Sequence, residues 1–257
     1  MDGQTKPVLQ ILIQEARRAG VPEIAIVVHP GDEDAYRQAA GDPEVRFLPQ
    51  TEPTGYGNAI LSAAGFVGGE SFLHMVGDHV YTSRSEQGCA QQLVETAREH
   101  ECSVSGLQPT RESLLPYFGA VGGHRLPGAK HIYEIERIVE KPTPTEAEQT
   151  LFVPGLRAGH YLCFFGMHAL TPLVFELLKE RAEAGGGGSA RNFTEVLGDV
   201  AIRERFLGLE IKGRRFAIDS KYGLLNAQLG LALEGRDRME VLALITDLLA
   251  QREIAAA

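Results

Sequence analysis

Phe72-Leu73-His74-Met75-Val76-Gly77-Asp78-His79 is an apolar run that stops abruptly at a glycine and a carboxylate. In an α/β protein a short apolar run bounded by glycines reads as a buried strand, and ligands collect just beyond the carboxyl ends of such strands. The run therefore predicts a strand that presents Asp78 at the rim of a sheet, where a carboxylate can hold a metal ion. Aspartate is equally a turn residue. The stretch alone leaves both a loop cap and a metal ligand open.

Working outward, residues 8–19 carry apolar side chains at helical spacing and end at Gly20, the usual helix stop. A buried strand over 24–28, a helix over 33–40 and a strand over 45–48 follow. The turn-rich segment 49–58 then leads into a helix over 59–64. Beyond Asp78 an amphipathic stretch spans 86–99 and a strand 102–107. Helix and strand alternate, which predicts a doubly wound, mostly parallel sheet with helices on both faces. From Pro109 the texture changes. Residues 117–121 and 132–139 read as paired strands, Glu140-Lys141-Pro142 ends the second, and Thr143 or Thr145 can cap a short helix. A strand over 161–165 and a helix over 171–183 come next, with Pro172 in the first turn. The glycine-rich run 185–189 reads as a flexible surface loop, because Ala190-Arg191 stands where a phosphate-cradling loop needs Lys followed by Ser or Thr. Helices over 193–204, 222–233 and 238–252 and a hairpin around Gly213 complete the pattern.

With 44% hydrophobic and 23% charged residues in 257, the chain can bury a substantial core. The net charge is −9 and no run of Lys or Arg forms a stripe, which argues against nucleic acid as a partner. An acidic protein that handles phosphates needs local Lys or Arg, or a divalent cation, to overcome its own field. Cys89, Cys102 and Cys163 show no C-x-x-C spacing, so reduced thiols in the cytoplasm are the simplest account. No apolar segment approaches the ~18 residues of a membrane span.

Four short stretches place a polar group at a strand end or in a glycine loop. They are Gln50 with Gly55 and Gly57, Gly77-Asp78, Glu140-Lys141-Pro142, and Ile218-Asp219-Ser220-Lys221. Together with Tyr117-Phe118-Gly119-Ala120-Val121 and Ala158-Gly159-His160-Tyr161, and in this order, they resemble the sugar-1-phosphate nucleotidylyltransferases. More narrowly, they are similar to the bacterial UTP-glucose-1-phosphate uridylyltransferases. The resemblance runs from Lys6 to about Ala232. It implies a Rossmann-like domain over 1–234 with an inserted antiparallel sugar-binding part, and a C-terminal helix over 235–257 that could pack on the domain or on a second subunit.

The resemblance also implies roles. Gln50 and Gly55 would meet uracil, and the backbone of Gly77, Gly119 and Gly159 would approach the substrates. Glu140 would accept from glucose hydroxyls and Lys141 would meet the 1-phosphate. Asp78 and Asp219 would hold Mg²⁺, which takes one or two carboxylates with phosphate and water completing its octahedron. Catalysis would rest on Lys141, Asp78 and Asp219, with UTP and glucose 1-phosphate as partners and no nucleophilic side chain. His29, His79 and His160 receive no role. Family members begin with a strand and a G-x-G-T-R loop that wraps the triphosphate, whereas Met1 here falls just before Lys6-Pro7-Val8, which matches the segment after that loop. The expectation is an absent first central strand, impaired catalysis by the chain as written, and a start codon placed too far downstream or a fragment. A thymidylyltransferase on glucose 1-phosphate, or a non-catalytic module that binds a nucleotide sugar, are the competing readings.

Overall fold

The computed structural model describes residues 4–183 and 192–255. The glycine-rich run 185–189 lies outside the described residues. Helix α1 (Val8–Arg18) buries Leu12, Ile13 and Ala16, and Gly20, at a φ of 77°, ends it as its spacing predicts. Strand β1 (Ala25–Val28), helix α2 (Glu33–Ala40) and strand β2 (Arg46–Pro49) form a crossover unit in which β1 and β2 pair in parallel. Two short helices, α3 (Tyr56–Leu61) and α4 (Ala64–Val67), lead to β3 (Phe72–Met75). The opening apolar run is thus a strand, but it is shorter than its sequence suggests. Gly77 and Asp78 form a turn, and a second strand, β4 (His79–Ser83), begins at once.

Helix α5 (Cys89–His100) and strand β5 (Ser103–Arg111) follow, then a 3₁₀ turn over Glu112–Tyr117. Strands β6 (Ala120–Arg125) and β7 (Ile132–Val139) pair antiparallel, as expected. Helix α6 (Pro144–Thr150) is capped by Thr143, whose hydroxyl accepts from the Glu146 N–H at 3.2 Å. The remaining elements are β8 (His160–Leu170), α7 (Leu173–Glu183), α8 (Phe193–Arg203), β9 (Phe206–Glu210), β10 (Gly213–Ala217), α9 (Gly223–Leu233) and α10 (Arg238–Ala255). Helix α10 packs on α9 and leaves Leu244, Leu248 and Leu249 exposed.

Two expectations are corrected. The sheet is mixed rather than mostly parallel: its order is β3-β8-β5-β9-β7-β6, and of these neighbours only β5 and β9 run parallel. The reason is β8, an apolar strand of 11 residues that returns from the inserted part and wedges antiparallel between β3 and β5. Nor do the strands flanking Gly213 form a hairpin. β9 stays in the six-stranded sheet while β10 leaves it to pair with β4, Ala217 opposite His79. Helices nevertheless cover both faces of the sheet. One core gathers Phe164, Leu162 and Leu107 with α7 and α8, and the other gathers Phe165, Met167 and Val104 with α1 and α5. Successive side chains of β8 thereby serve opposite layers, as strand geometry requires.

The sheet is not continuous. β1 and β2 form a separate two-stranded unit, and β3 is the edge of the six-stranded sheet. Between β1 and β3 runs a cavity of about 850 Å³, roofed by α1 and α5 and floored by α3 and α4.

His168 on β8 lies deep in the core, 4% exposed, sharing a hydrogen bond of 2.7 Å with the Ser105 hydroxyl. Burial, and secondarily the neighbouring His74, hold its imidazole well below the ordinary histidine range. The folded protein therefore keeps His168 neutral where an unfolded chain takes up a proton, near pH 6.5. Stability is expected to be level above about pH 7 and to fall as pH drops from 7 to 5. Urea unfolding at both pH values checks this, and His168→Met is expected to flatten the acid side of the profile.

Candidate active site

Each predicted site residue falls on a strand end or an adjoining turn. Gln50 follows β2, and its backbone N–H donates to Val28 O at 2.8 Å. Its side-chain amide closes the loop, with Nε2 donating to Gly55 O at 3.1 Å and to Asn58 Oδ1 at 2.9 Å. Gly55 has a φ of 139°, a conformation that excludes side chains other than glycine's hydrogen. The loop is anchored from below by Tyr56, whose hydroxyl shares a hydrogen bond of 2.9 Å with His74 Nε2 on β3.

Asp78 stands in the turn between β3 and β4, half exposed. Its Oδ1 accepts from His79 Nδ1 at 2.8 Å, and that bond is the main cause holding the carboxyl below the ordinary aspartate range. The backbone of Ile218 donates to Asp78 O at 2.9 Å, which brings the end of β10 against the start of β4. Asp219 therefore shares this rim. It is exposed and makes no hydrogen bond or ion pair among the described residues.

The second half of the site lies where β7 ends. Lys141 takes a φ of 48°, and its ammonium lies 3.9 Å from Glu140 Oε1. Its backbone N–H donates to Phe118 O at 3.2 Å. Glu140 Oε2 accepts from the Thr194 hydroxyl at 2.6 Å. Gly119 sits underneath, and a Cβ there would lie 2.8 Å from the Phe164 ring and 2.9 Å from Glu140 Oε2. Gly159, at a φ of 68°, opens β8 and accepts from the Glu112 N–H at 3.0 Å. Gly77 is less constrained, since a Cβ there meets nothing within 4 Å.

Two residues that no sequence motif marks support the site. Arg215 on β10 is 7% exposed, and its guanidinium lies 3.7 Å from the centroid of the Phe118 ring. It donates to Phe164 O and, at 3.5 Å, to Thr110 Oγ1. Burial lowers it to about 10, so it stays charged at neutral pH. The Phe118 ring in turn lies 6.4 Å from the His79 ring. One contact chain thus links Arg215, Phe118, His79 and Asp78. Thr194 is the other, arriving from α8 to orient Glu140. The one sequence signal for Arg215 is strand alternation, which sends one arginine of the Arg214-Arg215 pair inward.

Asp78 and Asp219 are hard oxygen donors on adjoining strand ends, a set suited to a divalent cation that arrives with phosphate ligands. Among the described residues no cluster of three or more His, Cys, Asp or Glu forms a dedicated metal cage.

Residues 2–191 match the family model described as Nucleotidyl transferase. A UTP–glucose-1-phosphate uridylyltransferase of Streptococcus pneumoniae serotype 4 is 26% identical over 255 residues, covering 89% of this chain and 81% of that protein. UTP–glucose-1-phosphate uridylyltransferase 2 of Streptococcus pyogenes serotype M3 is 28% identical over 256 residues, with 89% and 81% covered. Among solved structures, a UTP-bound UGPase from Acinetobacter baumannii superposes with a TM-score of 0.75 at 20% identity, over 94% of this chain and 88% of that one. A UDP-glucose pyrophosphorylase complexed with UDP-glucose gives 0.73 at 22% identity, over 90% and 88%. At these identities the superpositions establish the fold.

The two glycines of the rim differ in a measurable way. Gly119→Ala forces a Cβ against the Phe164 ring and Glu140, and is expected to cost about 1–3 kcal/mol of stability. Gly77→Ala enters open space and is expected to stay within about 0.5 kcal/mol. Urea midpoints of the two variants provide the comparison.

Proposed function

The chain belongs to the nucleotidyl transferase family, and from that premise we propose that it transfers a uridylyl group from UTP to glucose 1-phosphate, giving UDP-glucose and pyrophosphate. The observation that carries this reading is the Glu140–Lys141 corner. A carboxylate and an ammonium 3.9 Å apart stand over a glycine with no room for a side chain. That corner can read sugar hydroxyls and a phosphate at once. The relatives named above support uracil over thymine as the base, because both carry the name UTP–glucose-1-phosphate uridylyltransferase over 89% of this chain.

In this reading the uracil meets Gln50 and the backbone at Gly55. Glu140, oriented by Thr194, accepts from glucose hydroxyls, while the bare Cα of Gly119 and the backbone at Gly77 and Gly159 let the substrates approach. Lys141 holds the 1-phosphate of glucose 1-phosphate. A phosphate oxygen of that substrate attacks the α-phosphorus of UTP in line, and the bond to pyrophosphate breaks on the opposite side. Asp78 and Asp219 would hold Mg²⁺, which supplies charge neutralisation for the phosphates. Positioning and charge stabilisation account for most of the acceleration in such transfers, so no side-chain nucleophile is required. His79 holds the Asp78 carboxylate in place, and Arg215 fixes Phe118, and through it the start of the Gly119 segment.

Phosphorus NMR of the protein with glucose 1-phosphate, Mg²⁺ and either UTP or dTTP tests the reading. UDP-glucose and pyrophosphate are expected to accumulate with UTP, and Lys141→Ala is expected to lower kcat/KM for glucose 1-phosphate by about 10²-fold or more. Preference for dTTP would establish a thymidylyltransferase instead. Binding of UDP-glucose with no turnover under any of these conditions would mark a nucleotide-sugar-binding module. Full activity of Lys141→Ala would remove that residue from the site.

A further inference from the structure

Three rings crowd around Phe193, the first residue of α8. It is 7% exposed, and its ring centroid lies 5.9 Å from that of Tyr56, 5.3 Å from that of His74 and 5.8 Å from that of His168. Tyr56 opens α3 and directly follows Gly55 of the Gln50–Gly55 loop. The next residue of α8, Thr194, lies about 100° further around the helix axis and meets a different part of the site. Its hydroxyl donates to Glu140 Oε2 at 2.6 Å, while Glu140 Oε1 lies 3.9 Å from the Lys141 ammonium. Two consecutive residues thus touch the helix that carries the Gln50–Gly55 loop on one side and the Glu140–Lys141 corner on the other.

The head of α8 is built to move as one piece. Asn192 caps it: the side-chain oxygen accepts from the Thr194 N–H at 3.1 Å, and Nδ2 donates to Glu195 Oε1 at 3.2 Å. Behind this turn the helix is clamped to α7. Arg181 donates to Glu195 and to Asp199, both at 2.7 Å, and Arg203 donates to Glu180 at 2.6 Å. Close-packed side chains transmit displacement, so a shift of the Tyr56 ring reaches Phe193 and the capped first turn. The bond from Thr194 to a carboxylate is short and charge-assisted, and the Glu140 oxygens follow it. At the other end, Gln50 Nε2 donates to Gly55 O and Asn58 Oδ1, so a base that bonds this amide acts on the first turn of α3, and on Tyr56 with it.

We propose that Phe193 and Thr194 are positioning residues that couple the two parts of the site. A uridine nucleotide on the Gln50–Gly55 loop tightens glucose 1-phosphate at the Glu140–Lys141 corner, and the sugar phosphate tightens the nucleotide by the same factor, as linkage requires. The sign is positive because either ligand orders the shared turn, and the second ligand meets it already ordered. The coupling rests on the uridylyl-transfer reading above and adds to it: Thr194 does more than orient Glu140, since it makes that orientation depend on the nucleotide.

Calorimetric titrations in Mg²⁺ test this. They measure glucose 1-phosphate with and without α,β-methylene-UTP, whose P–C bond releases no pyrophosphate, and then the nucleotide with and without glucose 1-phosphate. Each ligand is expected to tighten the other about tenfold. The Thr194 amide is expected to gain protection from hydrogen exchange when the nucleotide alone is bound. Thr194→Val keeps the side chain's shape and removes its hydroxyl, and Phe193→Leu removes the ring against Tyr56. Each is expected to bring the coupling below about twofold, and Thr194→Ser to retain it. If Phe193→Leu fails to fold, Thr194→Val, at a half-buried position, decides alone. Weaker binding of both ligands with the coupling factor intact would mark the two residues as structural and overturn the proposal. Wild-type protein that binds both ligands independently would overturn it too. Failure to bind either ligand alone would instead remove the uridylyl-transfer reading, and the coupling with it.

Discussion

Arg215 buries a guanidinium beneath the rim with no carboxylate against it among the described residues. A buried charge is costly unless its donors are satisfied. Here the Phe164 carbonyl and the Thr110 hydroxyl accept from it, and the Phe118 ring lies over it at 3.7 Å. A desolvated cation–π contact is worth about 2 kcal/mol, and both accepting residues belong to strands of the main sheet. The arrangement ties β10, β5 and β8 to the segment that carries Gly119. Because the Phe118 ring also approaches His79, the same contact steadies the turn that presents Asp78.

The rim follows from that anchoring. Asp78 and Asp219 come together because β4 and β10 pair outside the main sheet and their ends meet at the Ile218-to-Asp78 hydrogen bond. Glu140 and Lys141 are brought over Gly119 by the antiparallel pairing of β6 with β7, Ala120 opposite Val139. The candidate site residues thus stand on turns, and rigid strands set where the turns stand. The Gln50 loop is held differently, by its own amide and by the Tyr56–His74 contact.

Much of this arrangement is legible in the amino-acid sequence. Helical spacing locates α1, α5, α7 and α8 within a few residues, since their buried faces depend on local period alone. The strand over 72–75 and its Gly77–Asp78 ending are equally clear. Strand direction is not, because pairing is a long-range property: nothing in His160 to Leu170 states that it will wedge antiparallel between β3 and β5. β4 is hidden by its closeness to β3, since it begins at His79 directly after the Gly77–Asp78 turn, where the sequence reads as the end of a strand. β10 resembles half of a hairpin because Gly213 is a turn signal, yet a Cβ there would lie 2.6 Å from Cys89 Sγ. That glycine answers to close packing. Glu140 and Lys141 are marked by their place at a strand end, and their roles by family resemblance alone. Thr194 and Arg215 act through tertiary contacts across 54 and 51 residues, and beyond the alternation that turns one arginine of the 214–215 pair inward no local pattern reveals them.

The central claim is that the Gln50–Gly55 loop, the Asp78 turn and the Glu140–Lys141 corner form one site for a nucleotide sugar. Titration of the ¹⁵N-labelled protein with UDP-glucose and Mg²⁺ tests it most directly. The amides of Gly55, Gly119 and Lys141 should move together along one binding curve, and Lys141→Ala should weaken that curve. Movement of amides elsewhere on the molecule, or separate curves for the loop and the corner, would contradict it.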